Sequence, residues 1–156
     1  ILCYSDGVPD AVFQEAGVER ASTLEDLFRR SNVVIELESL TPRSRSQVRE
    51  HHLRMLGAGD ALINVGRAGV IDQAALERVA LEGWLRIGLD VFAEEPIPIE
   101  SPFRGLRNVT LLPHIAGPTP DRRRDCGEFA VKNLRRYRAG QPLEAVVTLD
   151  IYDRST

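Results

Sequence analysis

Three side chains with complementary chemistry lie just after short apolar runs: Arg67, Glu95 and His114. An arginine fork binds a carboxylate through two parallel hydrogen bonds. A histidine transfers a proton near neutral pH, and an adjacent carboxylate fixes its tautomer. Together these groups suit oxidation or reduction at a carbon next to a carboxylate, where a hydride and a proton move together.

Each of these residues, taken alone, has a simpler explanation. Arg67 could be half of a structural ion pair, and Glu95, in a run of two glutamates before a proline, could be a surface residue. His114 could be a hydrogen-bonded loop histidine. His51 and His52 match no motif, and we expect both to be solvated on a polar helix.

Short apolar runs alternate with helical patterns along the chain, which favours βαβ crossovers and a parallel sheet covered on both faces. We therefore expect an α/β fold. The predicted strands span residues 1–4, 32–37, 61–65, 86–92 and 108–113, and the predicted helices span 10–16, 22–31, 46–56 and 72–83. A last helix ends at Gly140 and has an apolar stripe formed by Cys126, Phe129, Ala130, Leu134 and Tyr137. The proline-rich stretch 94–103 is expected to be a loop.

In an open parallel sheet, ligands bind outside the carboxyl ends of the strands. The residues that follow the predicted strands are therefore candidates for the site. They are Ser5–Asp6, Glu38–Thr41, Gly66–Arg67, Asp90–Glu95 and His114–Gly117.

Four segments make the prediction more specific: "TLEDLFRRSNVVIELESLTPRSR", "INVGRAGVIDQAAL", "GLDVFAEEPIP" and "LLPHIAGPT". In this order and spacing they resemble the NAD(P)-dependent D-isomer-specific 2-hydroxyacid dehydrogenases, and the resemblance covers about residues 1–140. It implies a Rossmann-like, doubly wound parallel sheet and an NAD cofactor, with NADP as the alternative. It also implies a homodimer and a small 2-keto or 2-hydroxy acid substrate of the glyoxylate, hydroxypyruvate or phosphoglycerate type.

The resemblance assigns roles to particular residues. Arg67 matches the arginine that holds the substrate carboxylate and carbonyl, His114 the acid/base, and Glu95 the carboxylate paired with that histidine. The related formate dehydrogenases have glutamine in place of Glu95, which argues against that branch. Asp90 matches an acid near the nicotinamide carboxamide. The residues expected along the cofactor are Ser5, Asp6, Glu38, Thr41, Val65, Gly66, Arg67, Asp90, His114, Ile115, Ala116 and Gly117.

The chain departs from the family pattern at its start. It has no G-x-G-x-x-G turn, the element that places a pyrophosphate at a helix N-terminus, and residues 1–4 resemble the second strand of a dinucleotide fold. We therefore expect residues 1–140 to be the C-terminal part of an NAD(P)-binding domain whose first strand and glycine-rich loop lie outside this chain. The sheet should then have a gap. We expect residues 141–156 to return towards a separate substrate domain.

Two further departures concern the cofactor. Many NAD-using members have an acid directly after the tyrosine of the second strand, whereas this chain has Tyr4-Ser5-Asp6. Asp6 could bind the ribose hydroxyls, or Ser5 could relax selectivity towards NADP; we expect NAD, because an acid repels a 2′-phosphate. Ser39 stands where the family has a proline, and the acid Glu38 precedes it.

Composition excludes several classes of protein. The 156 residues are 43% hydrophobic and 28% charged, with a net charge of −3, as expected for one soluble domain that binds neither nucleic acid nor a membrane. Cys3 and Cys126 match no metal or redox spacing, so we expect reduced thiols, a cytoplasmic location and no metal site.

The alternative function is a non-catalytic nucleotide-sensing or dimerisation module derived from the same family.

Overall fold

Strands and helices alternate in the computed structural model, which describes residues 1–153 apart from the side chain of Asp150. The strands of this part of the chain are β1 (Leu2–Cys3), β2 (Glu19–Arg20), β3 (Val33–Glu36), β4 (Ala61–Asn64), β5 (Arg86–Leu89) and β6 (Val109–Leu111). Its helices are α1 (Asp10–Glu15), α2 (Leu24–Arg30), α3 (Glu50–Leu53), α4 (Gln73–Glu82), α5 (Arg123–Arg138) and α6 (Leu149–Asp153). The predicted α/β class is confirmed.

All strand pairs are parallel, and they form two separate sheets. Strands β3, β4, β5 and β6 pair in that order, while β1 pairs with β2 alone. The sequence pattern does not predict β2, because its two residues are both exposed and charged. No backbone ladder joins β1 to β3 in the described residues, so the expected gap in the sheet is confirmed.

The apolar core lies on one face of the four-stranded sheet. Helix α4 packs there, with Asp72 accepting a hydrogen bond from the Ala75 N–H at 3.1 Å as its N-cap, and Gly83 ending it at φ +80°. The buried cluster combines residues of the strands with residues of α2, α3 and α4, among them Val34, Leu62, Ile87, Phe28, Leu53, Leu76 and Val79. Because β3–β6 are parallel, their carboxyl ends meet at one edge of the sheet.

The opposite face of the sheet is open in the described residues, which corrects the expectation of two covered faces. Val33 and Ile35, in the predicted strand 32–37, lie on this open face, and their exposed fractions are 56% and 53%. The inward neighbours Val34 and Glu36 are buried. Burial therefore alternates along β3, as in a strand packed on one side only.

One predicted helix is shorter in the structure than the sequence pattern indicates. The segment 46–56 is helical only over α3, because Ser46 has φ +50° and Val48 forms a bridge to Ile71. Helix α5 forms as predicted and ends before Gly140, but its apolar stripe is not buried against any described residue. Its amphipathic pattern is real, and its apolar face has no partner in this part of the chain.

The segment after Gly140 packs back on α5 before α6 begins. Glu144 pairs with Lys132 and Arg136 and exchanges backbone hydrogen bonds with the Asn133 amide. Residues 154–156, the end of the segment predicted to return to a substrate domain, lie outside the described residues. Within the described residues, no helix has both the length and the apolar character needed to cross a bilayer.

Candidate active site

Arg67 lies at the exit of β4, on the turn that leads to a short 3₁₀ helix over Ala68–Val70. Its side chain is exposed, and the guanidinium donates to the carbonyl oxygen of Gly66 at 2.9 Å. Among the described side chains, no carboxylate forms an ion pair with it. The structural ion pair considered for Arg67 is therefore not formed here, and the guanidinium has donors available for an anionic ligand.

His114 and Glu95 form a hydrogen-bonded pair at the exits of β6 and β5. The His114 Nδ1 lies 2.8 Å from Glu95 Oε2, and the other carboxylate oxygen accepts from the Phe92 N–H at 3.0 Å. These bonds, the His114 contact first, lower the pKa of Glu95. Nδ1–H donates to this carboxylate, so Nε2 is the ring nitrogen that can exchange a proton with a ligand. The exposed fraction of the His114 side chain is 49%, which leaves the ring accessible.

Asp90 fixes the loop that holds His114. Its exposed fraction is 1%, and its two oxygens accept from the N–H groups of Ile115 and Ala116, both at 2.8 Å. His114 has φ +54°, a left-handed conformation that is uncommon outside glycine and persists when surrounding bonds hold it. In this structure Asp90 positions the histidine loop, and its contact with a nicotinamide stays a prediction.

The residues expected on the nucleotide side meet at the exits of β1 and β3. Ser5 Oγ donates to Glu38 Oε2 at 2.9 Å, and Asp6 pairs with Arg43 at 2.6 Å. Hydroxyl and carboxylate groups of this kind bind ribose hydroxyls in dinucleotide folds. Thr41 differs from the rest of this group, because its N–H and hydroxyl are hydrogen-bonded to Ser44 within one turn.

The remaining predicted cofactor residues contribute mainly backbone. Val65 donates its N–H to the Glu36 carbonyl at 3.3 Å, and Ile115, Ala116 and Gly117 form an exposed loop. A Cβ added to Gly117 would meet no atom within 4 Å, so this loop leaves room for a ligand on the open edge. The contacts of these backbone groups with a cofactor stay a prediction.

Two polar residues of the site are absent from the sequence prediction. Glu36 and Asn64 are the last residues of β3 and β4 and are register partners in the sheet. Both are buried, and both hydrogen-bond to the Gly66–Arg67 turn. The signal in the sequence is a polar residue that closes an apolar run, in "VVIE" and "ALIN".

One cluster of metal-ligating side chains lies elsewhere, on α2 and α3, and consists of Glu25, His51 and His52. His52 Nδ1 accepts the Arg49 N–H at 3.0 Å, so Nε2 of the neutral ring carries the proton and faces Glu25 Oε1 at 3.2 Å. A metal at Nε2 would require the opposite tautomer, and the cluster is better explained as a structural hydrogen-bond network. The expectation that His52 is solvated is wrong, since its exposed fraction is 4%, whereas His51 is exposed.

A parallel sheet with a histidine, an arginine and acids along its carboxyl edge is the arrangement of a Rossmann-like dinucleotide-binding domain. Residues 1–116 match the family described as D-isomer specific 2-hydroxyacid dehydrogenase, NAD binding domain. The chain belongs to this family, which confirms the predicted resemblance, the Rossmann-like fold and the NAD cofactor class.

Individual relatives agree with the family assignment. The chain is 35% identical over 152 residues to a glyoxylate reductase of Thermococcus kodakarensis, covering 97% of this chain but 45% of that protein. A D-isomer specific 2-hydroxyacid dehydrogenase from Xanthobacter autotrophicus, solved with NADPH and MES, is 30% identical and superposes with a TM-score of 0.73 over 92% of this chain and 57% of that one. The apo D-mandelate dehydrogenase of Rhodotorula graminis is 29% identical, with a TM-score of 0.79 over 92% of this chain and 42% of that one. The chain thus spans about half the length of the relatives it matches.

Proposed function

We propose that the protein containing this chain reduces a small 2-keto acid to the D-2-hydroxy acid, with substrates of the glyoxylate, hydroxypyruvate or phosphoglycerate type. The observation that carries the proposal is the His114–Glu95 pair, formed on the same sheet edge as an arginine that has no acidic partner among the described residues. In this proposal, residues 1–140 are the C-terminal part of the NAD(P)-binding domain.

Each side chain has a defined task in this reaction. The Arg67 fork binds the substrate carboxylate and orients the neighbouring carbonyl. Protonated His114 donates a proton from Nε2 to the carbonyl oxygen, while Glu95 holds the ring through Nδ1 and stabilises its positive charge. The cofactor, when bound, supplies the hydride that goes to the carbonyl carbon. Ser5, Asp6, Glu38 and the loop after His114 would hold the cofactor.

The cofactor preference and the cellular setting belong to the same proposal. Asp6 and Glu38 place two acids on the adenosine side, which favours NAD over a nucleotide bearing a 2′-phosphate, although Arg43 offsets the charge of Asp6. Cys3 and Cys126 form no disulfide in the described part of the chain, in keeping with a reducing compartment such as the cytoplasm. We also propose a homodimer, on the basis of the family resemblance.

The test is to mix the intact protein with NADH and a panel of 2-keto acids and to follow NADH absorbance. We expect turnover with at least one acid. His114→Ala should lower kcat by about 10²–10⁴ and leave the NADH Kd nearly unchanged, because the ring acts on the substrate proton. His51→Ala, which changes an exposed histidine on α3, is the matched control. Nucleotide binding without turnover on any acid would contradict the proposal and favour a non-catalytic sensing module.

A further inference from the structure

Glu36 is a buried carboxylate that the proposed reaction does not use. Its exposed fraction is 7%, and no Lys or Arg side chain pairs with it among the described residues. Burying an unpaired carboxylate is costly unless hydrogen bonds satisfy its oxygens. The partners of the two oxygens therefore indicate what this residue does.

The two oxygens accept from two different segments of the chain. Oε1 accepts the Glu38 N–H at 2.5 Å, on the loop that follows β3. Oε2 accepts the Arg67 N–H at 3.3 Å, on the turn that follows β4. One side chain thus joins the nucleotide side of the edge to the arginine proposed to bind substrate.

The Arg67 turn is held from its other side by Asn64, the register partner of Glu36. The Asn64 Oδ1 accepts the Gly66 N–H at 3.1 Å, and its Nδ2 donates to the Arg67 carbonyl at 3.3 Å. A Cβ on Gly66 would lie 2.5 Å from Glu36 Oε2. Glycine at position 66 is therefore what lets the carboxylate reach the Arg67 backbone.

We propose that Glu36 is a positioning residue for the substrate arginine, fixing the peptide of Arg67 relative to the loop that carries Glu38. This inference rests on the proposed function in assigning Arg67 to the substrate. The position of a charged fork matters for rate, because small misplacement of a binding group can reduce activity about 10²-fold. The alternative is that Glu36 only stabilises the fold and has no influence on Arg67.

The ionised form of Glu36 is the one that suits both bonds. A carboxylate accepts strongly at both oxygens, whereas in a protonated carboxyl the oxygen that carries the proton is a weaker acceptor for a facing N–H. Burial is the largest cause that raises the pKa of Glu36, and the Glu38 charge adds to it, while the two N–H donors and the Arg67 charge oppose it. Glu38 on its own loop and Arg67 from the β4 exit are the charged groups that act on it.

The direct test follows backbone amide protons by NMR as pH is varied, on the full chain. We expect the Arg67 and Glu38 amide protons to titrate together, with a midpoint above the ordinary range of a glutamate. In Glu36→Gln this shared step should disappear, while in the matched control Glu38→Gln it should remain. An Arg67 amide that shows no titration in the wild-type protein would overturn the proposal, even if Glu36→Gln fails to fold.

The second test is kinetic and uses the intact protein. In Glu36→Gln the KM for the 2-keto acid should rise about tenfold, with smaller changes in kcat and in the NADH Kd. Glu15→Gln, at an exposed glutamate of α1 outside the proposed site, should leave this KM unchanged. If Arg67→Lys raises KM but Glu36→Gln alters neither KM nor the Arg67 amide, the inference about Glu36 is wrong. If Arg67→Lys leaves KM unchanged while the amide still titrates with Glu36, the proposed role of Arg67 is wrong instead.

Discussion

Three acids along the carboxyl edge have the same physical role, which is to accept backbone N–H groups from neighbouring loops. Glu36 accepts from residues 38 and 67, Asp90 from 115 and 116, and Glu95 from 92. Glu36 and Asp90 are buried, whereas the side chains that would meet substrate, Arg67 and His114, are exposed. Buried acids thus fix the backbone from which exposed groups can act.

Replacing Arg67 by lysine tests its assignment to the substrate. We expect the KM for the 2-keto acid to rise about ten- to a hundredfold, because the planar fork is lost and a hydrogen bond between charged groups contributes about 1.5–3 kcal/mol. Steady-state kinetics with the intact protein measure this. Arg86→Lys, an exposed arginine at the start of β5 and so at the opposite edge, should have no effect. An unchanged KM in Arg67→Lys would remove Arg67 from the substrate site.

The short helix α3 shows how tertiary bonds override a helical pattern. Val48 donates its N–H to the Val70 carbonyl at 3.0 Å and accepts from the Asp72 N–H at 2.8 Å, so its backbone groups are used outside a helix. The helix begins only after Arg49, whose N–H is bound by His52 Nδ1. The His52 ring packs on Phe28 with 5.6 Å between ring centroids. These contacts anchor α3 to α2 and to the turn before α4.

His52 makes the stability of the folded chain depend on pH. Burial lowers its pKa below the ordinary 6.5, and this outweighs the Glu25 hydrogen bond that raises it. As pH falls, His52 is therefore protonated in the unfolded chain at a higher pH than in the folded chain. The contribution of neutral His52 to the free energy of unfolding is complete above about pH 6.5 and falls as pH drops towards the lowered pKa. Hydrogen bonds from its own backbone N–H and then from His52 lower the pKa of Glu25 to about 2, so Glu25 stays charged in this window.

In the wild-type chain we expect Tm to fall between about pH 7 and pH 5. In His52→Gln this fall should be smaller, because a glutamine oxygen still accepts the Arg49 N–H but does not titrate. Thermal unfolding followed by circular dichroism at several pH values measures it. His51→Gln, on the exposed neighbour, should retain the wild-type dependence. The same slope in His52→Gln as in wild type would show that other groups cause the fall.

For the whole molecule, the main feature is the separation between its two sheets. A cavity of about 540 Å³ lies between them, lined on one side by β1 and on the other by β3. The side of β3 away from β4 has no strand partner among the described residues, and Val33, Ile35 and Leu37 are exposed along this strand and just after it. An unpaired apolar edge of this kind invites pairing with another chain.

A protein made of residues 1–156 alone should therefore self-associate as its concentration rises. Replacing Val33 and Ile35 together by lysine should reduce this association and leave Tm nearly unchanged, because both side chains are already solvated and charged edges resist pairing. Val34→Lys, at the buried position between them, should unfold the chain. Static light scattering over a concentration series, with Tm as a control, measures the effect. Association that is the same in the double variant would rule out this edge as its cause.

Much of the fold could be predicted because it depends on local pattern. The helix over 73–82 with its Asp72 cap, the apolar strand cores and the loop at 94–103 all follow from spacing and turn residues. The site could be predicted in part, since residues that follow strands of a parallel sheet must meet at one edge. Glu36 was missed as a site residue because it lies within the predicted strand 32–37, and only the pairing of β3 with β4 brings it close to Arg67.

The sequence alone determined the type of most elements, the parallel sheet and the arginine, glutamate and histidine at its exits, because these depend on residue type and on spacing along the chain. Tertiary structure decided which groups are partners: Asp90 with the histidine loop, Glu36 with the Arg67 turn, and His52 with Arg49 and Glu25. It also decided that the stripe of α5 and one face of β3 stay exposed. The physical reason is that hydrogen-bond partners and burial depend on contacts between segments that are distant in the sequence, and the local residue pattern does not specify those contacts.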